Sequence, residues 1–358
     1  MLKRLFFISL VLLMASVMIV GCADDAPAPA PEEGADPEPA PEVSDGDLPV
    51  LGVSMIDLNH PFYVQMMNAG DVAADDWGVE VVWQSAEGSL ERQLSVVENF
   101  IEQGVDCILI DPIDKEGVIP AVNAAAEAGI PVITMGNFVD TPHNVNTLYN
   151  DYQDFGTLTD IMAASIGFEG TVVLLVGGVG NFVSDERQRG FEETIANYPD
   201  IEVLSIQPSD WDPAKGMEVM ENWLTSYENI DAFMCVSDGV TFAALEAIRN
   251  AGREDEIKVF SYDGEPAASE MVAAGDMVAN LLTGATRVGY WNIKTGAHMA
   301  KGETFDQRIY LPTHFIMTQE VYDDLIEKGF EPPEGFSWVE PEEAIVLFDG
   351  YSEELGPQ

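Results

Sequence analysis

Short, continuously apolar runs recur along this chain, each followed by a segment with helical spacing, and that alternation leaves few folds open. Val50-Leu51-Gly52-Val53-Ser54-Met55-Ile56 reads as a buried strand. Met66, Met67, Gly70, Ala73, Ala74 and Trp77 then recur three and four residues apart, the spacing of one helix face. Residues 79–83 read as a strand, and Leu90, Leu94, Val97 and Ile101 mark the next helix. Cys107-Ile108-Leu109-Ile110 is a short apolar strand, followed by a helix with Val118, Val122 and Ala125 and by a strand at 130–134. Strands of this kind alternating with helices of about 10 to 15 residues predict a parallel sheet covered on both faces. After Tyr149 the rhythm restarts, with strands at 171–176, 201–206, 231–236 and 257–262 and helices near 183–197, 214–226 and 239–250. Two successive α/β units of similar size predict two lobes with a cleft between them. Cys107 and Cys235 fall in strands of different units and are expected to be buried free thiols.

The ends of the chain read differently. Lys3 and Arg4 precede an apolar run from Leu5 to Val20, which meets Gly21-Cys22. This is the layout of a secretory signal. The run is shorter than the about 20 residues a membrane span needs. Ile19-Val20-Gly21-Cys22 resembles the lipobox of bacterial lipoproteins, which implies cleavage before Cys22 and lipidation of its thiol. Residues 1–21 are thus expected to be a lipoprotein signal peptide. Residues 22–48 alternate Ala, Pro, Glu and Asp and are expected to form an extended acidic linker behind the lipid anchor. The expected location is outside the cytoplasm, tethered to a membrane.

In parallel α/β sheets, ligands collect at the carboxyl ends of the strands. In this sequence those ends carry an unusual density of rings and polar groups. The first gives His60, Phe62 and Tyr63, with Pro61 suited to a first helical position. Later ends give Asp111 and Asp114, Gly136-Asn137, Arg187 and Arg189, Asp210-Trp211-Asp212, Ser237-Asp238 and Asp263-Gly264. Rings can cover the C–H faces of a sugar, while carboxylates, amides and guanidinium groups hold its hydroxyls through charge-assisted bonds. Each piece also has a plainer reading. Phe62, Tyr63 and Trp211 fit a core, Asp111-Pro112 fits a turn, and Asp212 fits the cap of a helix starting at Pro213. Arg187 reads as a surface ion pair. Arg189, before Gly190-Phe191 on an apolar face, reads as buried and functional.

Taken in order, several of these stretches resemble the ribose- and galactose-type periplasmic sugar-binding proteins, the solute receptors of ABC importers. The resemblance covers about residues 49–315. It rests on Asn59-His60-Pro61-Phe62-Tyr63, Ile110-Asp111-Pro112, Gly129-Ile130-Pro131-Val132-Ile133-Thr134, Arg187-Gln188-Arg189-Gly190-Phe191 and Tyr262-Asp263-Gly264. It implies an α/β fold of two Rossmann-like lobes, the type I periplasmic binding protein architecture, joined by a three-segment hinge. By that resemblance the first lobe takes 49–150 and 284–311, the second 151–283 and 312–350, and the crossings fall near Asn150, Thr283 and Leu311. Phe62 and Trp211 then look like rings on opposite faces of a sugar, and Tyr63, Asp111, Arg189 and Asp263 like the hydroxyl-binding set. His60 and Ser237 stand where ribose receptors have asparagine, and Thr283 where they have glutamine. Gly136-Asn137 replaces an Asp-Arg pair, which leaves room above Gly136 and leaves the ligand open. Partners implied are a small sugar or polyol and the membrane permease of an ABC transporter, with the receptor a monomer.

Competing classes fare poorly. Gly177-Gly178-Val179-Gly180 follows a strand, but Val183 stands where a dinucleotide loop needs its third glycine. His60, His143, His298 and His314 show no metal-ligand spacing with cysteine. No catalytic residue, metal or cofactor is therefore expected, and a nucleotide-cofactor enzyme is the weakest alternative. A sensor partner that presents ligand to a chemoreceptor or kinase is the stronger one. The formal charge of −48 disfavours nucleic acid, whose phosphates need a basic face. Without residues 1–48 the chain still holds 54 acids against 13 bases, so the acidity belongs to the folded body and points to a saline setting. Screening should relieve its self-repulsion. The melting temperature of the soluble body is expected to rise with added salt; a flat or falling response in a salt titration would remove that reading.

Overall fold

The computed structural model describes residues 48–58 and 61–349. The expected signal peptide, the linker, Cys22 and His60 lie outside the described residues. The first unit runs β1 (Val50–Met55), α1 (Pro61–Trp77), β2 (Glu80–Ser85), α2 (Leu90–Gln103), β3 (Cys107–Ile110), α3 (Ile119–Glu127), β4 (Val132–Met135) and β5 (Asn144–Leu148). The second runs α4 (Asp151–Ser165), β6 (Gly170–Val176), α5 (Phe182–Ile195), β7 (Ile201–Pro208), α6 (Pro213–Ser226), β8 (Ala232–Cys235), α7 (Asp238–Asn250), β9 (Lys258–Phe260), α8 (Pro266–Ala274) and β10 (Asn280–Leu282). The chain then continues through α9 (Ala285–Ala300), β11 (Arg308–Tyr310), β12 (His314–Ile316), α10 (Gln319–Lys328), β13 (Trp338–Val339) and α11 (Pro341–Asp349).

The first sheet has six strands, all parallel, in the order β11-β5-β4-β3-β1-β2. The second has the parallel order β7-β6-β8-β9. Single bridges from Phe260 to Ala279 and from Asp263 to Leu282 bring β10 beside β9. Strand β12 pairs antiparallel with β10, and β13 parallel with β12. The chain therefore passes between the two sheets three times: after β5, between β10 and α9, and between β11 and β12. Strand β11 returns to the first sheet while β12 joins the second. Helix α11 rests against α8 and α9, one from each side of the crossings.

The apolar strands earn their places. β3, β4 and β8 are buried along their whole length, as strands covered by helices on both faces must be. Cys107 and Cys235 are buried free thiols, as expected. β5 was not anticipated, because Asn144-Val145-Asn146-Thr147-Leu148 reads as polar, yet every residue of it is buried. Its side chains are satisfied internally. Asn146 Oδ1 accepts from the Thr134 hydroxyl and the Val139 amide, both at 2.8 Å, and the Thr147 hydroxyl donates to Asn292 Oδ1 at 2.8 Å. Periodicity cannot see a strand whose burial is bought with side-chain hydrogen bonds.

Helices α4 and α5 pack so closely that a Cβ on Gly190 would lie 2.3 Å from the Tyr152 carbonyl oxygen. Backbone cannot yield there as a flexible side chain would. Gly190→Ala is expected to cost about 1–3 kcal/mol, read as a lowered melting temperature with native secondary structure retained.

Candidate ligand-binding cleft

The first lobe contributes a cluster at the ends of β1, β3 and β4. Asp111 follows β3 and is 7% exposed. Its carboxylate accepts from Asn137 Nδ2 at 3.2 Å and from the Tyr63 hydroxyl. Among the described residues no cation pairs with it. Burial pushes its pKa up to about 7, and the bonds from Asn137 and Tyr63 only partly oppose that. Gln93 fixes the turn, donating to the Asp111 carbonyl at 2.7 Å and accepting from the Ile113 amide at 3.0 Å. Asp111-Pro112 is thus a turn that also aims a carboxylate. Phe62 and Tyr63 are half-buried at the start of α1, edge to face with centroids 5.7 Å apart. The space that a Cβ on Gly136 would enter is open for 4 Å.

The second lobe contributes a cluster around Arg187, and here the sequence expectation is corrected. Arg187 is buried; Arg189 lies on the opposite, exposed face, two residues on and about 200° around the helix. Arg189 stacks on Tyr152 at 4.0 Å and pairs with Glu186 and Glu193, so it is the surface residue. Arg187 Nε donates to Asp151 Oδ1 at 2.8 Å, and its Nη1 donates to the Val236 carbonyl at 2.6 Å and reaches Asp263 Oδ1 at 3.4 Å. Its guanidinium lies 3.6 Å from the centre of the Tyr262 ring. The signal that could have found it is Arg187-x-x-x-Phe191, an i, i+4 pair with the fully buried Phe191.

Asp263 holds a φ of +119°, a backbone position that side-chain-bearing residues rarely adopt. Its carboxylate is held by Arg187, the Ser237 hydroxyl and the Asp238 amide, and its carbonyl accepts from the Thr283 amide and hydroxyl. Burial raises its pKa, and Arg187 opposes the rise. Ser237 and Thr283 are therefore gathered around Asp263. Trp211 is half-buried at the end of β7, on a turn where Asp210 and Trp211 have φ of +54° and +61°. A Cβ on Gly177 would lie 2.2 Å from the Trp211 ring, so the glycine loop after β6 is a bed for that ring. Asp212 caps α6, accepting from the Ala214 amide at 2.8 Å.

The two clusters face each other. Asn137 Oδ1 accepts from the Val183 amide at the N-terminus of α5, 3.3 Å away. The Phe138 and Phe182 rings are 5.7 Å apart, and Lys115 Nζ is 5.9 Å from the Phe182 ring. At the crossings, Arg287 donates to the carbonyls of Thr283 and Pro312, and the Thr313 hydroxyl donates to Asp154 at 2.9 Å. The described residues hold no cluster of His, Cys, Asp and Glu fit for a metal ion.

The chain also matches known proteins. The profile of the periplasmic binding protein domain matches residues 51–304. The ribose import binding protein of Escherichia coli is 28% identical over 263 residues, covering 73% of this chain and 88% of that protein. A xylitol-binding protein of Mycolicibacterium smegmatis is 28% identical over 262 residues, covering 73% and 74%. A Bacillus halodurans ABC transporter solute-binding protein, solved with myo-inositol bound, superposes with a TM-score of 0.73 at 26% identity. It covers 80% of this chain and all of its own.

Burial also raises Asp154 and Glu265 to about 7. An acid whose folded pKa exceeds its unfolded value of about 4 adds stability that is complete below about pH 4 and lost as pH rises through about 7. The unliganded protein is expected to melt at progressively lower temperature from about pH 5 to about pH 8, and Asp154→Asn to flatten that slope. A melting series at fixed ionic strength checks both.

Proposed function

Because the chain belongs to the periplasmic binding protein family, whose matched relatives bind solutes rather than transform them, we propose that it captures a small polyhydroxylated molecule between two closing lobes. The observation that carries this reading is the division of the cleft. Tyr63, Asp111 and Asn137 stand on one sheet edge, and Arg187, Trp211, Ser237 and Asp263 on the other. A ligand that touches both edges stabilises only the closed arrangement, because the contacts are shared only there. Phe62 and Trp211 supply the faces that cover C–H surface. Asp111 and Asp263 accept from hydroxyls, and Arg187 donates. Thr283 holds the Asp263 backbone. The relatives' ribose, xylitol and myo-inositol share this chemistry of small, hydroxyl-rich, uncharged molecules.

The receptor then passes its ligand to the permease of an ABC transporter and works as a monomer outside the cytoplasm. Cleavage before Cys22 and lipidation of that residue would tether it, and the Ala/Pro-rich segment would hold the folded body off the membrane.

The test is a thermal-shift screen of purified protein against pentoses, hexoses, deoxy sugars, inositols and linear polyols, followed by calorimetry. Ligand at 100 times its Kd stabilises by about 2.7 kcal/mol, which such a screen detects readily. Trp211→Ala is expected to weaken binding about ten-fold or more with the fold intact, since it removes one stacking face. A folded protein silent across the panel would sink the polyol reading.

A further inference from the structure

Three side chains of the first lobe meet the first turn of one helix of the second. Asn137 Oδ1 accepts from the Val183 amide at 3.3 Å. The Phe138 and Phe182 rings are 5.7 Å apart, and Lys115 Nζ lies 5.9 Å from the Phe182 ring and 3.9 Å from Asp185. Phe182, Val183 and Asp185 all belong to the opening turn of α5. The first amides of a helix have no partner inside it. In α5 the Ser184 amide is met from its own lobe, by the Asn181 side chain at 3.1 Å, and the Val183 amide is met from the other lobe. The helix is thus capped partly across the cleft.

Each first-lobe partner is held in place by its own lobe. The loop that carries Asn137 and Phe138 is pinned by the Gly136 amide on the Thr147 carbonyl and by the Val139 amide on Asn146 Oδ1, both at 2.8 Å. Arg308 of β11 lies 4.4 Å from the centre of the Phe138 ring. Lys115 follows Asp114, whose Oδ1 accepts from the Glu116 and Gly117 amides at 3.0 and 2.6 Å and so shapes the turn that presents the lysine. Asn137 is 5% exposed, and its amide is engaged at both ends, the nitrogen on Asp111 and the oxygen on α5. The same helix carries Arg187, about one turn beyond Val183.

Resting on the receptor reading above, we propose that these contacts form a closure latch. Asn137, Phe138 and Lys115 are its positioning residues: they set how tightly every ligand is held without choosing which ligand is held. An interaction made only when the lobes are together multiplies the closed population by one factor, whatever lies between them. Asn137, expected from the sequence as a ligand contact, serves the lobes instead.

The experiment measures calorimetric affinity for D-ribose, D-allose, xylitol and myo-inositol in wild type, Phe138→Ala, Phe182→Ala, the double variant and Lys115→Met, with melting temperatures to confirm that each is folded. Phe138→Ala is expected to lose about two- to ten-fold in affinity, by the same factor for every probe that wild type binds. Phe182→Ala should add little to that loss in the double variant, because the two rings act as one contact. Lys115→Met, at an exposed position that leaves the fold alone, is expected to lose about two-fold, again uniformly. Unchanged affinity in both Phe138→Ala and Lys115→Met overturns the latch while leaving the receptor reading in place. A loss that differs from probe to probe overturns it too, by showing that these side chains touch ligand. Full additivity of the two ring variants overturns the pairing on which it rests. A wild type that binds no probe removes the receptor reading, and the latch with it.

Discussion

A buried guanidinium organises this molecule. Arg187 is almost wholly buried on α5, and a positive charge out of water must be met by negative charge and hydrogen bonds. Three elements converge to do so. Asp151 opens α4 at the first crossing, Val236 ends β8, and Asp263 follows β9. Tyr262 places its ring face against the same group. None of these could move independently without stranding a charge. Arg187, on the second lobe, is thereby fastened to Asp151 at the first crossing.

That fastening explains why strain is tolerated at Asp263. A residue at φ +119° is disfavoured in isolation, and it persists where its surroundings over-determine it. Here the carboxylate is fixed by Arg187, Ser237 and the Asp238 amide, and the carbonyl by Thr283. The same logic applies to the Asp210-Trp211 turn, whose left-handed residues put the indole onto Gly177 and Gly178. Bulky residues held at unfavourable dihedrals at the open edge of a sheet mark places where position was worth more than local comfort.

Much of this was legible in the sequence. Apolar runs gave β1 to β4 and β6 to β9, and Asp212-Pro213 gave a capped helix, because both signals are local. What escaped depended on tertiary satisfaction. β5 is written in asparagine and threonine, and its burial is explained only by Thr134, Val139 and Asn292. The choice between Arg187 and Arg189 failed for a related reason. Both flank an apolar face, and which one turns inward depends on Asp151 and Asp263, 36 and 76 residues away. Residues beyond about 315 also had no local signature. They complete the second sheet through β12 and β13 and lay α11 across α8 and α9.

The direct contacts between the lobes at the mouth of the cleft are few and individually modest. Among the described residues they include the Val183 amide donating to Asn137, the Phe138–Phe182 ring pair, and Lys115 near the Phe182 ring and 3.9 Å from Asp185. Contacts of these kinds contribute on the order of 1 kcal/mol each. The crossings, by contrast, are bound tightly by Arg287 and by Thr313 with Asp154. Firm crossings with weak lips are what a molecule needs if its lobes are to open and close about them. Closure then depends on what lies between the lobes, since a few kilocalories from a shared ligand suffice to decide the population. The same arithmetic gives Asn137 two tasks. It donates to Asp111 with its nitrogen and accepts from α5 with its oxygen, so the set of the Asp111 carboxylate and this contact between the lobes are made by one side chain.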